Sequence, residues 1–242
     1  MRWIYISPHF DDVVLSCGGL IFDQAQQGTP VEIWTICAGD APPGPLSLFA
    51  HQTHVDWGTG TAEETVALRR EEDAAAAAIV GAETCHFSIP DCIYRRSPEG
   101  NPLYIESVFA SLDPSEAGLN REIAAALDEE LSRDDVVVCP LAVGSHMDHI
   151  LVRSAVEILQ RPIRYYADMP YLLNRPEALE PAVRGLVEES FPVSEEGLKA
   201  WQDGCAAYKS QLLGLFPSDE QMRADLRAYW ANGQQVRLWR AG

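Results

Sequence analysis

The first chemically suggestive stretch of the chain is "SPHFDDVVLSCGG", which places a histidine and two adjacent carboxylates directly after the apolar run "MRWIYI". Two neighbouring aspartates repel each other, so they are favoured at the end of a buried strand only where a positive charge faces them. A divalent cation is the largest such local charge in a protein. We therefore interpret His9, Asp11 and Asp12 as candidates for a metal site.

A second cluster of this kind is "GSHMDH" at 144–149, which follows the apolar run "DVVVCPL". His146 and His149 are three residues apart, as are His9 and Asp12, and such pairs share a face in a helical first turn. Two imidazoles and a carboxylate with an open fourth position form a common catalytic zinc arrangement. One aspartate of the adjacent pair then binds the metal, and its neighbour accepts a proton from the attacking water.

The elements around these clusters alternate between short β-branched or aromatic runs and longer helical patterns. The predicted strands are 2–7, 31–39, 84–90, 135–141 and 163–169, and the predicted helices are 12–27, 62–80, 119–132 and 149–160. This alternation predicts an α/β fold with a Rossmann-like, doubly wound, mainly parallel sheet. Ligands bind beyond the carboxyl ends of such strands, so the two clusters meet in one crevice if the first and fourth strands are neighbours.

The length of the chain suits one domain over 1–242, with a core over about 1–169 and a mostly helical C-terminal extension over about 170–242. The extension ends in "QQVRLWR", which we interpret as an edge strand. Segments 40–61 and 92–118 are too long and too irregular for simple connections, so we predict that they are functional loops.

Composition restricts the partners and the compartment. A net charge of −18 argues against nucleic acid and against an anionic membrane surface as partners. No apolar run approaches about 20 residues and no signal-peptide pattern is present, so we predict a cytoplasmic protein without a membrane span. The six cysteines form no CxxC pair, which predicts buried free thiols in a reducing compartment. The sequence leaves open whether the chain forms a homo-oligomer.

Individual residues have structural alternatives. Asp11 or Asp12 is suited to the N-cap of the helix that follows. His146 by itself is equally well interpreted as a loop histidine. Of the other histidines, His86 alternates within a strand and is predicted to be structural, and His54 is assigned to the surface of a long loop or to substrate.

The motifs "PHFDD", "LSCGG" and "GSHMDH" together resemble those of the LmbE-like, or PIG-L, family of zinc-dependent N-acetylglucosaminyl de-N-acetylases. Further similarity lies in "RREEDAAAAAIVGAE" (69–83), "IPD" (89–91) and "YKSQL" (208–212), so the resemblance spans most of the chain. It implies a small-molecule N-acetylated sugar conjugate as substrate and one zinc ion as cofactor. Histidine and carboxylate ligands also suit Fe(II), Co(II) and Ni(II).

By position, the resemblance implies that His9, Asp12 and His149 are the zinc ligands and that Asp11 is the general base. It also implies that His146, in its protonated form, stabilises the tetrahedral intermediate and protonates the leaving amine. The chain departs from the frequent family motif "HPDDE", because "HFDDV" replaces the proline and the glutamate.

Three further residues carry two interpretations each. Asp148 is expected either to orient His146 or to cap a helix. Arg69 matches an arginine that approaches substrate in the family, and otherwise it is a surface residue paired with Asp73. Asp91 either lines the pocket or caps a turn.

The predicted function is metal-dependent removal of an N-acetyl group from a GlcNAc-type conjugate, with Asp11 as the base that activates water. One alternative is a zinc hydrolase that acts on a non-sugar amide or ester. A second alternative is a non-catalytic metal- or sugar-binding module on the same fold.

Overall fold

The structure is a computed structural model that describes residues 1–242. Its strands are β1 (Trp3–Ser7), β2 (Val31–Thr35), β3 (Glu83–His86), β4 (Val136–Pro140), β5 (Ile163–Tyr166), β6 (Leu186–Pro192) and β7 (Gln235–Ala241). Its helices are α1 (Asp12–Gln26), α2 (Leu48–Asp56), α3 (Ala62–Val80), α4 (Leu119–Glu130), α5 (Met147–Ile158), α6 (Tyr171–Asn174), α7 (Leu179–Ala182), α8 (Glu195–Cys205), α9 (Lys209–Leu215) and α10 (Asp219–Ala231). None of the helices combines the length and the apolar composition that crossing a bilayer requires.

All seven strands form one sheet in the order β3-β2-β1-β4-β5-β7-β6. The first five strands of this order are parallel, and β7 runs antiparallel to both β5 and β6. The predicted α/β class is confirmed, and β1 and β4 are neighbours, as the doubly wound pattern requires. The order of the strands reverses between them, which creates a crevice at their carboxyl ends.

The C-terminal strand does not lie where the sequence predicted it. "QQVRLWR" forms β7, but β7 is an interior strand, because the unpredicted β6 covers its free side. The sequence of β6, "LVEESFP", carries two adjacent glutamates and is half exposed, which is typical of an edge strand.

Local signals define α3 well. Thr61 and Glu64 form a reciprocal capping box at its start, and Gly81 ends it in the left-handed conformation with a φ of 79°. The observed range Ala62–Val80 therefore agrees with the predicted 62–80. This helix carries Arg69 toward the carboxyl ends of the strands.

The loop 40–61 contains α2, which the sequence did not predict. Proline and glycine precede it, it is only nine residues long, and it has no clear apolar face. Ser47 caps its N-terminus by accepting a hydrogen bond from the amide of Ala50. His54 on this helix is buried, with Nε2 2.7 Å from the hydroxyl of Tyr94, so its assignment to a loop surface was wrong.

One apolar core of 47 buried residues includes side chains from the C-terminal extension, among them Trp201 and Trp239. The indole N–H of Trp201 on α8 donates to the carbonyl of Leu15 on α1 at 2.9 Å. The glycine pair in "LSCGG" permits this approach, because a Cβ at Gly18 would lie 2.8 Å from Cδ1 of Trp201. The six cysteines are all free, and five of them are buried.

Gly18→Ala is expected to destabilise the fold. Alanine improves an ordinary helix interior by up to about 1 kcal/mol, whereas overpacking a buried site costs roughly 1–3 kcal/mol. The rigid indole of Trp201 cannot move away, so the clash outweighs the gain in helix propensity. The urea midpoint should fall for Gly18→Ala and change much less for Gly118→Ala, where a Cβ meets no atom within 4 Å. Equal midpoints for both variants would contradict the packing role of Gly18.

Candidate active site

The two sequence clusters meet at the carboxyl ends of β1 and β4. His9 and the two aspartates after it follow β1, and the second histidine cluster lies at the start of α5, after β4. They surround a cavity of about 220 Å³. Its lining residues are His9, Asp11, Asp12, Leu15, Phe49, Thr53, Trp57, Arg69, Asp91, Ile93, Val108, His146, His149, Met169, Pro170, Tyr171, Gln211, Gly214 and Leu215.

The carboxylate of Asp12 lies between two imidazoles. Its Oδ2 is 3.2 Å from Nδ1 of His9, and its Oδ1 is 3.3 Å from Nε2 of His149. The amide of His9 also donates to Oδ2 at 2.8 Å, which fixes the rotamer of Asp12. A third imidazole, that of His146, has a nitrogen within 4.8 Å of nitrogens on the other two. The spacing of three residues in each motif thus brings the side chains together.

Each of the two imidazoles beside Asp12 is held from behind by another carboxylate. Oδ1 of Asp168 is 2.6 Å from Nδ1 of His149, and Oδ2 of Asp148 is 3.1 Å from Nε2 of His9. Both supporting carboxylates are fully buried. A carboxylate behind a histidine is the usual support of a metal-ligating imidazole, because it fixes the tautomer and the ring orientation.

The electrostatic field at this point favours positive charge. Burial opposes protonation of His149, but Asp12 and Asp168 raise its pKa to about 9. Burial likewise opposes protonation of His9, yet Asp91 and Asp12 hold its pKa well above the ordinary value. A divalent metal supplies the same positive charge and displaces those protons. Two imidazole nitrogens and one carboxylate therefore fit a metal such as zinc.

Asp11 lies beside this set and contacts neither imidazole. It occupies the N-cap position of α1, but its side chain makes no capping hydrogen bond. Burial and the neighbouring charge of Asp12 raise its pKa to about 6. Its Oδ1 is 3.6 Å from Nη2 of Arg69. A buried carboxylate that titrates near neutral pH is suited to accept a proton from water.

His146 is the N-cap residue of α5, and its Nδ1 accepts a hydrogen bond from the amide of Asp148 at 3.2 Å. Its ring centroid is 4.7 Å from that of His9 and 5.0 Å from that of His149. Burial and these two neighbours lower the pKa of His146 to about 3. Because Nδ1 accepts a hydrogen bond, the ring proton lies on Nε2, and the lowered pKa favours the neutral imidazole.

Neither interpretation of Asp148 agrees with its position. Its carboxylate binds Nε2 of His9, accepts the amide of Cys92 at 3.0 Å and pairs with Nη1 of Arg95 at 2.5 Å. Only its backbone amide contacts His146, and the N-cap of α5 is His146 itself. The side chain of Asp148 thus supports the other histidine motif.

Arg69 and Asp91 form one wall of the cavity. Arg69 is only 4% exposed, and its Nη1 donates to Oδ2 of Asp91 at 3.3 Å. Its guanidinium lies 4.6 Å from the ring centroid of Trp57. The alternative pairing with Asp73 is not present. Asp91 fulfils both interpretations, because it lines the cavity and also accepts the amide of Ile93 in a turn.

Comparison with known proteins identifies the family. The sequence profile of the PIG-L family, described as GlcNAc-PI de-N-acetylase, matches residues 4–159. The chain belongs to the PIG-L family. This finding confirms the resemblance on which the expected enzyme class was based, and the chain is a hydrolytic de-N-acetylase.

Two curated relatives of this PIG-L family member are 2'-N-acetylparomamine deacetylases. The one from Niallia circulans is 26% identical over 269 residues, covering 98% of this chain and 93% of the relative. The one from Streptomyces fradiae is 31% identical over 190 residues, covering 72% and 59%. The zinc-inhibited form of a teicoplanin deacetylase has a similar structure, with a TM-score of 0.81, 27% identity and coverage of 99% and 97%.

The departures from the family motif "HPDDE" lie in the apolar core of this PIG-L protein. Phe10 is buried, with its ring centroid 5.2 Å from the guanidinium carbon of Arg69 and 5.3 Å from the ring of His86. Val13 is fully buried in α1. Neither replacement removes a polar group from the set formed by His9 and the two aspartates.

The sequence reasoning missed two residues that support the histidines of the de-N-acetylase. Asp168 lies two residues after the end of β5, at the same edge of the sheet as the motif that follows β1, so its position near a strand end was a usable signal. Arg95 lies in the irregular segment 92–118 and gave no such signal. Trp57 was also missed, because the helix that precedes it was not predicted.

Proposed function

We propose that this PIG-L de-N-acetylase removes the N-acetyl group from a GlcNAc-type amino sugar in a small-molecule conjugate, with zinc held by His9, Asp12 and His149. One observation carries the proposal: two imidazoles flank one carboxylate, each imidazole is supported by a further carboxylate, and the free carboxylate of Asp11 lies beside them. A site that only bound metal would have no use for a buried base.

The metal, when bound, supplies a Lewis acid for the acetyl oxygen and a water whose pKa is near 7. Asp11 accepts a proton from the attacking water as the water oxygen bonds to the carbonyl carbon. The Nε2–H of His146 donates a hydrogen bond to the carbonyl oxygen as negative charge develops there. The C–N bond then breaks, and Asp11 delivers its proton to the leaving amine, because neutral His146 is a poor acid.

The cavity is small enough that we assign only the acetylated sugar of the conjugate to it. Its volume of about 220 Å³ is below the range of roughly 300–1,000 Å³ that is typical of pockets for drug-sized ligands, so the rest of the conjugate lies outside. Arg69 lines the cavity, so its guanidinium is placed to donate a hydrogen bond to a sugar oxygen. The rings of Trp57 and Tyr171 provide apolar surfaces for the sugar ring.

Arg69→Met is expected to lower kcat/KM for an N-acetylglucosaminide while zinc content stays normal. A hydrogen bond from a charged donor contributes about 1.5–3 kcal/mol, which corresponds to roughly a 10- to 100-fold loss. The matched control is Arg70→Met, because Arg70 pairs with exposed Asp40 at 2.9 Å and does not line the cavity. Equal kcat/KM values for the two variants would contradict a substrate contact by Arg69.

The proposed function is tested by acetate release from a panel of substrates with the zinc-loaded protein. The panel contains simple N-acetylglucosaminides, 2'-N-acetylparomamine, N-acetylated aliphatic amines and acetate esters. We expect release from the sugars and little from the other compounds. Faster hydrolysis of the aliphatic amides or esters would favour a non-sugar hydrolase, and no release from any compound would favour the non-catalytic binding module.

A further inference from the structure

We propose that Arg95 is a positioning residue for the metal site and acts on His9 through Asp148. The inference rests on the metal site of the proposed function and adds a residue outside the cavity. Nη1 of Arg95 is 2.5 Å from Oδ1 of Asp148, and the other oxygen of that carboxylate is 3.1 Å from Nε2 of His9. The three side chains form a continuous chain of charged contacts.

The carboxylate of Asp148 depends on Arg95 for its charge balance. Asp148 is fully buried, and its guanidinium partner is 5% exposed. Apart from His9, Arg95 is the side chain that brings a positive charge into contact with this carboxylate. A buried carboxylate that loses its cation is strongly destabilised unless it moves or finds another partner. His9 is the neighbour that such a movement would disturb.

Arg95 is itself fixed from the opposite side. Its Nε is 2.7 Å from Oε1 of Glu116 in an ion pair that lacks hydrogen-bond geometry, and the hydroxyl of Tyr104 donates to Oε2 of the same glutamate at 2.5 Å. The guanidinium also lies 5.3 Å from the ring centroid of Tyr104. A planar guanidinium can hold two carboxylates at once in fixed directions, which a lysine ammonium does less well. Arginine is therefore the suitable residue at this position.

These contacts give a role to the irregular segment 92–118. Arg95, Tyr104 and Glu116 all belong to it, so the segment reaches Asp148 through the guanidinium of Arg95, and the amide of Cys92 donates to the same carboxylate at 3.0 Å. The same segment carries Phe109, whose ring centroid is 6.0 Å from that of His146. The segment thus contacts His146 directly and reaches His9 through the carboxylate of Asp148.

The test is the zinc dissociation constant, measured by competition with a chromogenic chelator on folded protein. Arg95→Met should weaken zinc binding by about tenfold, the lower end of the 10- to 100-fold losses usual for groups that support metal ligands. Arg95→Lys should show a smaller loss, because it keeps the charge. Arg96→Met is the matched control. Arg96 bonds to the carbonyls of Gly100 and Pro45 and does not touch Asp148, so this variant should bind zinc like the wild type.

A double-mutant cycle separates positioning from general stability. In an Asp148→Asn background, the Arg95→Met change should alter zinc affinity less than twofold, because the route to His9 is already broken. The urea midpoint, in contrast, should fall in every Arg95→Met protein. Additive losses of zinc affinity, or unchanged affinity in folded Arg95→Met, would overturn the proposal.

If Arg95→Met does not fold, Arg95→Lys and Glu116→Gln replace it in the same comparison, and unchanged zinc affinity in both variants overturns the proposal.

Failure of the proposed function gives a different result. Wild-type protein that binds no zinc, or binds it equally well without His149, refutes the metal site. A wild type with one normal zinc ion and unaffected Arg95 variants refutes only the role of Arg95.

Discussion

Replacing Asp11 with asparagine is expected to lower kcat for acetate release by roughly a hundred- to ten-thousandfold, the range usual for loss of a general base. The amide has nearly the same shape as the carboxylate but cannot accept the proton of the attacking water. Zinc should remain bound, because Asp11 contacts neither of the imidazoles that flank Asp12. The measurements are steady-state kcat and the zinc content of the same protein preparation.

The zinc content of the Asp11→Asn protein shows whether a loss of activity comes from the missing base or from a missing metal. A variant that lost both activity and metal would show that Asp11 binds the metal. Asp12 would then be the candidate for the general base. Turnover equal to that of the wild type at full zinc occupancy would contradict the assignment of Asp11 as the base. The expected combination is full occupancy with little turnover.

His149→Ala is expected to lose zinc itself. Its Nε2 lies 3.3 Å from Asp12, and its Nδ1 is fixed at 2.6 Å from Asp168, so the ring is held as a donor beside the carboxylate of Asp12. The loss of affinity should exceed the roughly 10- to 100-fold effect of removing a group that only supports a ligand. Chelator competition measures the affinity, and acetate release should fall with it.

The matched control for His149→Ala is His51→Ala. His51 is exposed and lies outside the cavity, so its removal should leave zinc affinity and turnover unchanged. Zinc affinity in His149→Ala that remains near the wild-type value would contradict the proposed ligand set. A folded His149→Ala protein, shown by a cooperative urea transition, excludes unfolding as the cause of the loss.

The sequence predicted the elements whose signals are local. The capping box and terminal glycine of α3 gave both of its ends, and the apolar runs of β1 and β4 gave two strands at their observed positions within one residue. The helix α2 was missed because nine residues without an apolar face carry little periodic signal. The interior position of β7 depends on pairing with β6, which its own sequence does not encode.

In the candidate site as well, contacts between residues close in sequence could be predicted, whereas contacts between distant residues could not. His9 and Asp12 are only three positions apart, in the bend before α1 and at its first residue, so their association could be predicted. Asp148 lies beside His146 in sequence, yet its carboxylate contacts His9, 139 positions away, because the rotamer and the packing of α5 decide its direction. The contact between Arg95 and Asp148 likewise joins residues 53 positions apart and leaves no local pattern.

The most direct test of the proposed metal-dependent hydrolysis is a zinc titration of metal-free protein, followed by acetate release from an N-acetylglucosaminide. We predict no release before zinc is added and a rise in rate that ends at one equivalent per chain. The single set formed by His9, Asp12 and His149 is the reason for this stoichiometry. Full activity in protein shown to be free of metal would contradict the proposal.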